Sequence, residues 1–195
     1  MNIILTSKAF GNEKVTKKIK NILNKKFNEL KVLLVATPSL PYGPEKYLNE
    51  LLESGFEKEN IIIFDDKDVD KYKNLDVDIV YVTGGNTFTG LKLIKKCGFD
   101  REIINYINKG IIYIGRSAGA HLITKNIKHL LAFDSNDVGL TDYNAIGLLD
   151  GILVCHYDKT REKIYNELLN NSKYNVYTLT NQELLYINNN DIIKM

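Results

Sequence analysis

The amino-acid sequence predicts an α/β domain on a mostly parallel sheet with helices on both faces. Three observations lead to that class. Strand-like runs alternate with segments of helical periodicity, an order that implies right-handed crossovers between parallel strands. Residues 31–36 read as a strand that is apolar without interruption from Val32, the pattern of a parallel strand covered by helices on both sides. Finally, Ile111-Ile112-Tyr113-Ile114 leads into Gly115-Arg116-Ser117-Ala118-Gly119, which reads as strand, sharp turn and helix. The chain has 195 residues and 44% hydrophobic content, the size of one domain with a sizeable core, so a single domain is expected over residues 1–195.

Taken in order, residues 2–6 form a first strand. Gly11 and Asn12 open a helix with Val15, Ile19, Ile22, Leu23 and Phe27 at helical spacing, so one face packs. Its other face holds Lys14, Lys17, Lys18 and Lys25 and reads as a solvated surface. After the strand at 31–36, residues 37–44 gather all three prolines in one loop beyond a strand's carboxyl end, where open α/β sheets bind ligands. Residues 45–53 suggest a helix ending near Gly55, followed by strands at 60–64 and 77–82. The second of these runs into Thr83-Gly84-Gly85-Asn86-Thr87, and helices follow at 88–96 and 101–108. Past Ser117 a helix is expected over 118–126. Residues 130–149, rich in Asp, Asn and Gly, have the composition of an active-site loop. A strand at 151–156, a helix at 160–170 and a strand at 175–179 come next. A C-terminal hairpin of 183–187 and 191–193 closes the chain around Asn188-Asn189-Asn190.

Composition excludes several classes of partner. A net charge of +2 gives no strong field for nucleic acid or an anionic membrane, and the lysines of the first helix lack interleaved aromatic residues. Cys97 and Cys155 are too few for a disulfide framework, and with the three histidines they make no metal-ligand spacing. The N-terminus lacks a basic region followed by a long apolar run, and no stretch approaches the ~20 apolar residues of a membrane span. The expectation is a cytoplasmic, unprocessed protein with small partners, no metal and no cofactor. The sequence leaves the oligomeric state open.

The chemistry centres on Ser117. In a nucleophile elbow the serine occupies a strained turn, and the residues two before and two after must be very small; Gly115 and Gly119 fill those places. A serine hydroxyl needs a base, and histidine suits the role because its pKa lies near neutrality. Among the histidines, His121 follows one helical turn after Ser117 and His129 lies at a helix end. His156 alone stands at the carboxyl end of a strand later in the chain, the edge that also carries Ser117. The base needs an acceptor to hold its tautomer, and Asp137, Asp158 and Glu183 are the candidates. The amide of Ala118 and the loop Gly84-Gly85-Asn86 can supply oxyanion donors; the lysine and hydroxyl that would make that loop a phosphate-binding turn are absent.

Together these residues resemble the peptidase E family, aspartyl dipeptidases related to cyanophycinases, with a fold like that of class I glutamine amidotransferases. The resemblance covers nearly the full chain. It rests on Thr83-Gly84-Gly85-Asn86-Thr87-Phe88, Gly115-Arg116-Ser117-Ala118-Gly119-Ala120, Asn136-Asp137, His156 and Thr160-Arg161-Glu162. It implies a serine peptidase with Ser117 as nucleophile, His156 as base and an aspartate at the place of Asp137, acting on small peptides, in particular dipeptides with an N-terminal aspartate. Arg161 is then the best-placed arginine for the substrate carboxylate, since Arg101 lies on a helix between strands and the Arg116 side chain is expected to leave the cleft opposite Ser117. One position departs from the family: Asn181 stands in the stretch where members can carry an acidic residue. That departure motivates an alternative, a binding or regulatory protein that keeps the fold without effective hydrolysis.

Overall fold

The computed structural model describes residues 1–36, 43–189 and 191–195. Most of the proline loop expected over 37–44 therefore lies outside the described residues. Nine strands appear among those described: β1 (Asn2–Thr6), β2 (Val32–Val35), β3 (Ile61–Ile63), β4 (Ile79–Val82), β5 (Ile112–Arg116), β6 (Ile152–Cys155), β7 (Val176–Leu179), β8 (Leu184–Asn188) and β9 (Asp191–Lys194). The helices are α1 (Glu13–Leu23), α2 (Gly43–Ser54), α3 (Thr87–Cys97), α4 (Phe99–Asn108), α5 (Ala118–His121) and α6 (Glu162–Asn171).

Seven strands form one sheet in the order β3-β2-β4-β5-β1-β8-β9. β1 to β5 pair in parallel, whereas β8 and β9 add an antiparallel edge, the C-terminal hairpin. Alternation along the inner strands divides the core. Ile3, Leu5, Leu33, Val35, Val80, Val82 and Tyr113 face α3 and α4. Ile4, Val32, Leu34, Ile79, Tyr81 and Ile114 face α1 and α2. Both faces of these strands are thus dry, which is why their sequences read as unbroken apolar runs. Two of the helices begin on a capping asparagine. Asn12 caps α1 by accepting from the Val15 N–H, and Asn86 caps α3 by accepting from the Thr89 N–H.

Two expectations are corrected. The helix read over 118–126 is a single turn, α5. Past it the backbone bonds leave the helix: the Lys125 N–H donates to the Gly151 carbonyl rather than back to His121, and the carbonyls of Leu122, Ile123 and Thr124 accept from the amides of Ile146, Leu149 and Gly147 in the long following loop. The other correction concerns β6 and β7, which pair in parallel with each other as a separate two-stranded sheet. They abut the carboxyl end of β1, where the buried Ser7 hydroxyl donates to the Leu179 carbonyl and accepts from the His156 N–H, both at 2.9 Å.

Candidate active site

Ser117 lies between β5 and α5 with φ 49° and ψ −108°, a conformation L-residues avoid. Backbone bonds hold it there. The Ser117 N–H donates to the Thr6 carbonyl at 2.8 Å, and the Gly119 N–H donates to the Thr83 carbonyl at 3.0 Å. Tyr113 adds its hydroxyl, which donates to the Gly119 carbonyl at 2.6 Å. The two glycines are sterically required: a Cβ on Gly115 would lie 2.8 Å from Ala120 backbone, and one on Gly119 would lie 2.2 Å from the Val82 oxygen.

His156 follows β6, also at positive φ, 54°. Its Nε2 is 3.0 Å from the Ser117 Oγ, and its Nδ1 is 2.7 Å from the Asn181 Oδ1. An amide oxygen can only accept, so Nδ1 carries the hydrogen and Nε2 is left as an acceptor for the serine hydroxyl. Burial pushes the His156 pKa below its ordinary 6.5, the bond to Asn181 opposes that shift, and the nearby cations Arg161, Lys8 and Arg116 reinforce it.

The three carboxylates proposed for the acid are engaged elsewhere. Asp137 is exposed and accepts from the Ser135 hydroxyl at 2.7 Å. Asp158 caps the turn Lys159–Arg161 by accepting from the Thr160 N–H and hydroxyl. Glu183 accepts from the Thr180 N–H and pairs with Lys194 at 3.2 Å. The place against Nδ1 belongs to Asn181, whose side chain makes the hydrogen bond a triad acid would make but brings no charge. The Asp137 loop has a structural function: Asp134 accepts from the Thr87 N–H at the start of α3, and the Asn86 amide donates to the Ser135 carbonyl. That same bond, with its capping role, commits the Asn86 side chain to holding the loop.

Around the serine, Gly84 sits so close that an added Cβ would be 3.3 Å from the Ser117 Cβ. Gly85 has φ 153°, and neither its N–H nor that of Ala118 meets an acceptor among the described residues. Arg161 donates through Nη1 to the Cys155 carbonyl at 2.9 Å, and its guanidinium lies 4.1 Å from the centre of the Phe133 ring. Arg116 pairs with Glu50 of α2.

The remaining histidines pack behind the site. His129 donates from Nε2 to the Leu153 carbonyl at 2.8 Å. His121 is 4% exposed, and neither ring nitrogen has a partner among the described residues, so burial holds its pKa well below 6.5. Lys8 was not singled out from sequence, and no local pattern marks it; it nears His156 only through the fold. Among the described residues no three His, Cys, Asp or Glu side chains are grouped to hold a metal ion, and no helix is long and apolar enough to cross a membrane.

Residues 3–195 match the family described as Peptidase family S51. An uncharacterized peptidase of Listeria monocytogenes is 37% identical over 123 residues, which cover 60% of this chain and 59% of that relative. A peptidase E of Citrobacter koseri is 33% identical over 106 residues, 48% of this chain and 44% of the relative. The aligned stretches thus span less than two thirds of these curated relatives. Among solved structures, a peptidase E candidate from Listeria monocytogenes EGD-e superposes with a TM-score of 0.83 at 27% identity, over 100% of this chain and 97% of that one. A peptidase from an acI-B1 Actinobacterium shares the fold, with a TM-score of 0.64 at 14% identity over 95% of this chain and 82% of that one.

Proposed function

The chain belongs to peptidase family S51, and from that premise we propose that it is a serine peptidase hydrolysing small peptides through Ser117 and His156, with Asn181 in the place of the triad acid. The observation that carries this reading is the linked pair of contacts, 3.0 Å from Ser117 Oγ to His156 Nε2 and 2.7 Å from Nδ1 to Asn181. In the reaction Nε2 takes the hydroxyl proton as Oγ attacks the scissile carbonyl carbon. The carbonyl oxygen becomes an oxyanion that the amides of Ala118 and Gly85 stabilise. The imidazolium then gives its proton to the leaving amine as the C–N bond breaks, and an acyl-serine remains. Water, deprotonated by His156, attacks that ester, and serine departs with the proton.

The preferred substrate in this reading is a dipeptide with an N-terminal aspartate. Arg161 keeps guanidinium N–H groups beyond the Nη1 bond to Cys155, and the stack on Phe133 would hold them in a fixed plane for a carboxylate. A second reading, a binding or regulatory protein with weak hydrolysis, is favoured by one observation: Asn181 brings no negative charge to stabilise the imidazolium. Labelling with a serine-directed fluorophosphonate separates the two. Wild type is expected to label and Ser117→Ala to lose labelling and roughly 10⁴-fold of turnover; a wild type that stays unlabelled would reject the peptidase. Turnover of Asp-Leu, Asn-Leu and Ala-Leu by wild type and Arg161→Lys then tests the substrate. No preference for Asp-Leu would discard the aspartate claim, and a preference that survives Arg161→Lys would remove Arg161 as its source.

A further inference from the structure

Behind the glycine loop, and outside the residues assigned so far, lies Tyr47 of α2, a side chain only 3% exposed. Its hydroxyl donates to the Gly84 carbonyl at 3.2 Å, and the Thr83 hydroxyl donates to the same oxygen at 3.3 Å. That carbonyl belongs to the peptide unit whose other end is the Gly85 N–H. Because a trans peptide is planar, its C=O and N–H point in opposite directions, and fixing the oxygen on one side aims the hydrogen to the other. The loop is thin here. A Cβ on Gly84 would lie 3.3 Å from the Ser117 Cβ on one side and 3.6 Å from the Tyr47 hydroxyl on the other.

Tyr47 is itself clamped to the elbow. The Arg116 guanidinium lies 5.0 Å from the centre of the Tyr47 ring and pairs with Glu50, one turn along the same helix, and the two charged side chains are 7% and 15% exposed. Arg116 directly precedes Ser117, so the elbow, α2 and the glycine loop form a closed circuit of contacts around the nucleophile. We propose that Tyr47 is a positioning residue: its hydroxyl orients the Gly84–Gly85 peptide so that the Gly85 N–H serves as an oxyanion donor to the group attacked by Ser117. The assignment rests on the serine-peptidase reading. Burial raises the phenol pKa above its usual 10, with Glu50 adding to that shift and Arg116 opposing it, so the hydroxyl remains a donor at every pH where the enzyme would work.

The test is Tyr47→Phe, which keeps the ring under Arg116 and removes only the hydroxyl. A fluorophosphonate puts its phosphoryl oxygen where the oxyanion would form, so the maximal inactivation rate reads the donor and the half-saturating concentration reads ground-state binding. The expected result is a maximal rate lower by about 10-fold at an unchanged half-saturating concentration and an unchanged melting midpoint, with Thr83→Val slowing it further in the double variant. A wild-type rate in Tyr47→Phe overturns the assignment. So does a slowdown that comes with a lower melting midpoint and weaker half-saturation, which would mark a role in the fold alone. A wild type that no fluorophosphonate labels would instead reject the serine reading, and this assignment with it.

Discussion

Replacing Asn181 by Asp puts a carboxylate where an amide oxygen now stands 2.7 Å from the His156 Nδ1. The change tests how much of the catalytic arrangement depends on charge. Two unit charges about 4 Å apart attract by roughly 4 kcal/mol at an effective dielectric of ~20. His156 is partly open to solvent, which screens the pair, so about half of that should survive. A stabilisation of ~2 kcal/mol applied to the imidazolium raises the His156 pKa by about 1.5 units. The sign matters: the native pKa lies below 6.5, so the acid limb of the pH–rate profile should fall below that value and should move upward in Asn181→Asp. On the plateau above the limb the transition state gains the same stabilisation, up to ~30-fold in rate. The assay is the fluorophosphonate inactivation rate from pH 4.5 to 9, approximate limits that bracket both limbs. An Asp variant with the native limb and the native plateau would refute the idea that residue 181 governs the imidazole.

Two further outcomes concern stability. Because His121 is buried neutral with its pKa well below 6.5, the unfolded chain binds a proton that the folded chain refuses; stability is complete above about pH 6.5 and should fall by ~1.4 kcal/mol per pH unit below it. Melting curves at falling pH should show that slope reduced in His121→Leu, although His129, also lowered by burial, adds in the same direction; an unchanged slope would remove His121 as a source. Gly119→Ala should cost ~3 kcal/mol or more, because its Cβ would meet the Val82 oxygen at 2.2 Å, whereas Gly139→Ala, with φ 63° and open space around it, should cost only ~1 to 2 kcal/mol. Equal melting midpoints for the two variants would contradict the steric account of the elbow.

Much of this was legible in the chain because the signals are local. The strand-turn-helix around Ser117 is contiguous, and the spacing of its glycines reports a close approach that the Gly119–Val82 distance makes explicit. The apolar runs at β2 and β4 report burial on both faces. What escaped depends on distant partners. The short length of α5 goes with partners more than twenty residues later in the chain, the Gly151 carbonyl that accepts from the Lys125 N–H and the Ile146 amide that donates to the Leu122 carbonyl. The residues alone leave Asp137, Asp158 and Glu183 open as the acceptor, and the family resemblance points to Asp137; what the chain does not show locally is that the Asp137 loop is anchored on the α3 N-terminus by Asp134 and by the Asn86 amide, with Asn181 against His156. Tyr47 reads as an ordinary apolar position on α2, since nothing local shows that its hydroxyl reaches Gly84.

The distance between serine and histidine is set by backbone rather than by residue 181. Ser117 and His156 both occupy positive φ, as does Ala9 just after β1, and the strain is held by a common anchor. Thr6 takes the Ser117 N–H, and Ser7 takes the His156 N–H while donating to Leu179, so the carboxyl end of β1 ties the elbow to the β6–β7 pair. Both anchor residues are fully buried, away from competing water. Geometry and charge are therefore separable in this site. The anchor can hold Oγ and Nε2 at 3.0 Å whichever side chain follows β7, and the side chain at 181 then adjusts the basicity of an imidazole already in place. On this argument Asn181→Asp changes rate and pH profile while the melting midpoint stays the same. Ser7→Ala should do the reverse of that separation, loosening the His156 backbone and costing rate and stability together, because the lost hydroxyl leaves both the His156 N–H and the Leu179 carbonyl without their bond.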